Sequence, residues 1–136
     1  EALDDEDYTP LIMASMNGHD AAVELLLQEK ANIHAVKEYG NTPLMVASYE
    51  GETKCVQILI NAKAHLDVGN GAGETALICA AGNGKTACVE LLIDAKADVE
   101  VETPNGSTAL RVAVVNNHHE IVHLLCNQLK LIARSY

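Results

Sequence analysis

The sequence predicts an all-α repeat solenoid of stacked helix–turn–helix units, each closed by a protruding hairpin, with four repeats in the chain. Three observations carry that expectation. Thr9, Thr42, Thr75 and Thr108 stand 33 residues apart, and each is followed, after one residue, by a leucine: Leu11, Leu44, Leu77 and Leu110. A fixed period of this length marks a stacked array rather than one globular core. Apolar residues then recur at helical spacing inside each unit. Finally, Trp and Phe are absent and aromatics make up 3% of residues, so the core is built from small aliphatic side chains suited to close-packed helices. Such an array has no built-in catalytic cleft, and its usual product is a binding surface.

The whole chain, 1–136, reads as one domain. Residues 1–8 are expected to be a partial hairpin, followed by repeats at 9–41, 42–74 and 75–107 and a C-terminal capping repeat at 108–136. In each unit the threonine hydroxyl can cap the first helix, and Pro10 and Pro43 suit the first helical position. Leu44 and Ala47 lie one turn apart, the small alanine letting a neighbouring helix approach. Asn17-Gly18, Glu50-Gly51, Asn83-Gly84 and Asn116-Asn117 break the first helix from the second through a left-handed residue. The second helix carries one apolar stripe, Cys55, Val56, Leu59 and Ile60 in the second unit, with Val23, Leu26 and Leu27, then Val89, Leu92 and Ile93, then Val122, Leu125 and Cys126 in the others. Helical period is lost afterwards, and Gly40-Asn41, the glycines at 69, 71 and 73, and Asn105-Gly106 signal tight turns at the tips of extended arms. The arm Asp98-Val99-Glu100-Val101-Glu102 alternates acid with valine, so an extended strand would carry three acids on one face. The last unit lacks a hairpin, because Asn127 to Ala133 stays helix-like.

These residues resemble the ankyrin repeat family. The resemblance rests on Thr9-Pro10-Leu11 with Ala14, Thr42-Pro43-Leu44 with Ala47, Thr75-Ala76-Leu77 with Ala80 and Thr108-Ala109-Leu110 with Ala113, together with Gly18-His19 and Ala97-Asp98-Val99. It implies L-shaped repeats in a slightly curved stack that binds proteins through hairpin tips and the concave helix face. Two departures stand out. Where the family usually has His, this chain has Ile12, Met45, Ile78 and Arg111, so apolar packing should substitute except at Arg111. Where the family has Gly before Ala-Asp, it has Lys30, Lys63 and Lys96, each strained by about 1 kcal/mol if left-handed.

The net charge of −10 disfavours nucleic acid and anionic membranes as partners, which are held through Lys and Arg, and allows a basic protein or peptide. Cys55, Cys79, Cys88 and Cys126 form no CxxC pair, and Cys55 and Cys88 hold equivalent places on stacked helices about 8–10 Å apart, beyond disulfide reach. Buried free thiols and an intracellular, cytoplasmic setting follow. The chain opens at Glu1, partway into a unit, and reads as a piece of a longer protein. A monomer is the expected state.

Three segments imitate enzyme motifs. His119-Glu120-Ile121-Val122-His123 matches HExxH, the zinc-peptidase helix, but aligns with second-helix positions where Ile121 and Val122 belong to the core stripe, and no third ligand follows. Gly84-Lys85-Thr86 lacks the earlier glycine of a phosphate loop, and Gly69 to Gly73 ends at Glu74 where a dinucleotide motif needs glycine. No catalytic residue, cofactor or metal is assigned, and the chain is not expected to be an enzyme.

The leading expectation is a module for a partner protein or peptide; the alternatives are a structural spacer or assembly array without a selective ligand, and a zinc site at the HExxH segment. Binding candidates at the tips are Glu38, Tyr39, Asn41, Ala72, Glu74, Asn105 and Ser107. Those on the concave first-helix face are Val46, Tyr49, Glu50, Cys79, Asn83, Val112 and Asn116, with Met13 and Met16 beside them. Tyr39 and Tyr49 lead, because tyrosine combines large contact area with a polar end.

Overall fold

The computed structural model describes residues 9–135. The partial hairpin expected over 1–8 lies outside them. Eight α-helices occur among the described residues, stacked in pairs consistent with four repeats: α1 (Pro10–Met16) with α2 (Asp20–Gln28), α3 (Pro43–Glu50) with α4 (Thr53–Asn61), α5 (Ala76–Gly82) with α6 (Thr86–Asp94), and α7 (Ala109–Val115) with α8 (His119–Arg134). First helices form one layer, α1 on α3 on α5 on α7, and second helices the other, α2 on α4 on α6 on α8.

Each first helix starts where its threonine dictates. The Oγ1 atoms of Thr9, Thr42, Thr75 and Thr108 accept from the backbone N–H of Ile12, Met45, Ile78 and Arg111 at 3.1–3.3 Å. Each of these bonds satisfies an orphan donor of the first turn and contributes about 1 kcal/mol. The helix ends in a repeated six-to-one bond. The N–H groups of His19, Glu52, Lys85 and His118 donate to the carbonyls of Ala14, Ala47, Ala80 and Ala113, all at 2.9 Å. The residue before each donor is left-handed, Gly18, Gly51 and Gly84 and then Asn117 at φ 64°. A Cβ at the three glycines would also press on the side chains of Glu52, Lys85 and His118 in the next repeat, so the turn is shaped by stacking as well as by φ.

The second helices end the same way with a different residue. Ala31, Ala64 and Ala97 donate back to Leu26, Leu59 and Leu92 at 2.9–3.0 Å, and the left-handed residue is lysine: Lys30 (φ 69°), Lys63 (φ 70°) and Lys96 (φ 73°). The lysine row is therefore a row of strained left-handed residues just past the C-caps Glu29, Ala62 and Ala95, and their exposed side chains stay in water. In the fourth unit α8 runs on to Arg134 with no such stop, as its sequence predicts.

Between the layers, Leu11, Leu44 and Leu77 are at most 1% exposed, and Val23, Val56 and Val89, then Leu59, Leu92 and Leu125, repeat two further packing positions. Full burial of each such side chain contributes roughly 1.5–3 kcal/mol. Ala47, Ala80 and Ala113 are fully buried, bringing the first helices close. Ile12, Met45 and Ile78 are buried while Arg111 is exposed, so apolar packing replaces the histidine bonds as expected.

The arms depart from expectation. No strand forms among the described residues. Glu100 N–H donates to Asp98 Oδ1 at 2.9 Å, folding the segment into a side-chain-stabilised turn with Val99 buried, so the acids of residues 98–102 do not share a strand face. Repeats are stitched along this edge instead. His65 N–H donates to His34 Nε2 (3.2 Å) and Asp98 N–H to Asp67 Oδ1 (2.8 Å), the same bond one repeat apart. The His34 and His65 rings stack with centroids 3.8 Å apart.

Candidate interaction cleft

The three loop tips are tight turns in one register. Lys37, Asn70 and Thr103 donate through N–H to the carbonyls of Asn41, Glu74 and Ser107, at 2.8–3.1 Å. In the second and third tips a side chain reinforces the turn: Asn70 Oδ1 accepts from Glu74 N–H and Thr103 Oγ1 from Ser107 N–H, each at 3.0 Å. Lysine carries donors only and cannot do this for the first tip. There Tyr39 itself turns left-handed (φ 67°, ψ 9°), a costly conformation for a bulky residue, with its side chain 74% exposed.

Asn70 joins the first two tips. Its amide nitrogen donates to Asn41 Oδ1 (2.9 Å) and Glu74 Oε1 (3.2 Å), and its oxygen also receives Ala72 N–H (3.0 Å). Gly71 N–H donates to the Tyr39 carbonyl at 2.7 Å. Between these tips and the first-helix layer lies a cleft of about 210 Å³. Met45, Val46 and Cys79 form its buried floor, Met16 and Tyr49 line it from α1 and α3, and Lys37, Asn41, Glu50, Asn70 and Glu74 supply its polar lining.

Of the residues nominated from sequence, Asn41, Val46, Tyr49, Glu50, Glu74 and Cys79, with Met16, come together in this one cleft. Val46 and Cys79 are buried, not open as expected of a concave face, because the adjoining first helices cover them. Asn83 and Asn116 sit outside the cleft and spend their amides on carbonyls, of Cys79 at 2.7 Å and of Gly82 at 3.0 Å. Met13, Val112, Glu38, Ala72, Asn105 and Ser107 also lie apart from it, as does the Tyr39 side chain. Sequence reasoning missed Asn70, Lys37 and Met45. The signal for Asn70 was available, since it holds the turn position shared with Lys37 and Thr103 at the 33-residue period.

The floor is chemically quiet. Burial, followed by the negative charge of Glu74, pushes the Cys79 thiol up to about 12. Burial, the hydrogen bond to Asp20 and nearby carboxylates do the same to Cys55, also to about 12. Cys88 is raised mainly by burial. Thiols held neutral are poor nucleophiles, and all four cysteines are free. At the HExxH segment Ile121 is fully buried while His119, Glu120 and His123 point outward; His118 Nε2 meets the Gly82 carbonyl at 3.2 Å. Among the described residues no three His, Cys, Asp or Glu side chains cluster as metal ligands. Also among them, no helix is long and apolar enough to cross a membrane.

Paired helices in two layers, with loop tips along one edge over a first-helix face, define a helical-repeat array of the kind that presents an extended surface. The family model for ankyrin repeats, three copies, matches residues 1–70 and 62–134, and the chain belongs to the ankyrin repeat family. Domains of this family are generally protein-interaction modules and typically non-catalytic. No curated protein matches the chain.

Proposed function

We propose that this chain is a protein-interaction module that seats a segment of a partner protein in the cleft between the first two loop tips and the first-helix layer, with Tyr49 in its wall and Tyr39 on the neighbouring tip as a second contact. The observation that carries this reading is convergence: residues from α1, α3, α5 and two loop tips, spread from Met16 to Cys79, enclose one cleft with a buried apolar floor and a polar lining. That is the composition of a recognition site, apolar area for affinity and few polar groups for orientation. Tyr49, which lines that cleft, is 53% exposed, and Tyr39, on the first loop tip, is 74% exposed. We take residues 1–136 as a single domain with the repeat divisions given above. We place it in the cytoplasm, a reading supported by its four free thiols.

The test is selection of binding peptides from a displayed random library, followed by affinity measurement against Tyr39→Ala/Tyr49→Ala. A loss of tenfold or more with unchanged helicity supports the reading. Full retained affinity moves the binding surface elsewhere.

A further inference from the structure

We infer that the cleft is a socket for one arginine side chain presented by the partner. This rests on the protein-interaction reading and names the chemistry it selects. At about 210 Å³ the space is smaller than the usual small-molecule pocket of roughly 300–1,000 Å³ and suits a single long side chain. Its floor and its lining ask for different things. Met45, Val46 and Cys79 offer a buried apolar bed, which a methylene stem covers. Two carboxylates, Glu50 and Glu74, line the same space against one ammonium, Lys37, so the cleft carries a net negative charge within a chain of net charge −10. A partner anion would be repelled, and a neutral aliphatic side chain would leave the excess negative charge of the cleft uncompensated.

Glu74 is held in place for this role. Its Oε1 accepts from Asn70 Nδ2, which leaves the rest of the carboxylate's acceptor capacity for a second donor. Glu74 and Cys79 line the same space, and the carboxylate's charge, after burial itself, raises the Cys79 thiol. Tyr49 adds an aromatic face, half-exposed on the same wall. Arginine matches this set better than lysine: its planar fork can meet two acceptors at once, it is less strongly hydrated, and it stacks on aromatic rings.

The probe is a family of short alanine-rich peptides, acetylated and amidated, with arginine, lysine, citrulline or norleucine at the centre, titrated into the isotopically labelled full chain while backbone amide shifts are followed. Citrulline keeps the shape of arginine and removes its charge. The arginine peptide should move the amides of Glu50, Glu74 and Cys79 together. The citrulline peptide should bind at least tenfold more weakly, and Glu50→Gln/Glu74→Gln should cost the arginine peptide a similar factor while leaving the dispersion of the spectrum intact. Equal binding of arginine and citrulline, or shifts scattered away from the cleft, overturns the socket. Peptides from the displayed library separate the two levels of failure. If a selected peptide lacking basic residues maps to the cleft, the socket chemistry is wrong and the interaction module stands. If selected peptides map to another face, both fall.

Discussion

Ser48→Ala should stabilise this protein. Ser15 and Ser48 are fully buried at the same place in successive first helices, and neither hydroxyl has a hydrogen-bond partner. Ser48 lies in α3, packed between α1 and α5. The third repeat supplies an internal control, because the equivalent residue there is Ala81, also fully buried. Leaving a buried hydroxyl unpaired costs about 1–3 kcal/mol. Removing one oxygen forfeits dispersion worth a few tenths of a kcal/mol, at roughly 0.1–0.2 kcal/mol per atom pair. The net expectation is a gain of about 1–2 kcal/mol, which for a chain of this length raises Tm by about 3–6 °C. Urea unfolding followed by circular dichroism measures it, with an unchanged m-value showing that the denatured state is unaltered. Ser15→Ala should behave alike, and the double variant tests whether adjacent repeats couple. A lower urea midpoint for Ser48→Ala at constant m would refute the reasoning, since it would mean that the hydroxyl is satisfied and the interface uses it.

Two further outcomes follow from the caps and the stitched edge. Lys63→Gly should stabilise by about 0.5–1 kcal/mol relative to Lys63→Ala, because glycine removes the left-handed penalty that alanine retains; equal urea midpoints for the two would show that the strain is relieved elsewhere. His34 has its pKa lowered from the usual 6.5, chiefly by partial desolvation of its ring and then by repulsion from His65, so the fold favours the neutral ring whose Nε2 accepts His65 N–H. That contribution is complete above the unfolded-state value near 6.5 and is lost as pH falls through the lower folded value. The urea midpoint should drop between pH 7.5 and 5.5, and His34→Gln, which keeps an acceptor, should drop less; an equal drop would place the dependence on other groups.

Much of the fold was legible because its signals are local and repeated. Threonine caps act within four residues, and the 33-residue period puts every stripe, break and lysine stop in register. The extension of α8 could be read the same way, since Asn127 to Ala133 keep helical spacing. What escaped was conformational exception and contact at a distance. Tyr39 at positive φ carries no sequence signal, as tyrosine is a poor left-handed residue and Gly40 beside it explains the turn on its own. The alternation of residues 98–102 imitates a strand, but Asp98 uses its carboxylate on its own backbone, which a pattern of polarity does not register. The cleft was half legible. Period placed Val46 and Cys79 on one face, but only the stacking decided that they would be covered, and the bond from Asn70 to Asn41 spans 29 residues.

The saturation of Asn70 also bears on how the protein ages. Asn70-Gly71 is the dipeptide in which a main-chain nitrogen most readily attacks the preceding amide, closing a succinimide and releasing ammonia. Here that nitrogen is engaged with the Tyr39 carbonyl, and both ends of the amide are committed, its nitrogen to two acceptors and its oxygen to two N–H donors. The attack would have to break this set before it could begin. Conversion to aspartate would replace two donors with a charge beside Glu74 and turn the tips against each other. Folding thus acts as a protecting group for the residue that joins them, and the chemical lifetime of this edge becomes a property of the neighbouring repeat.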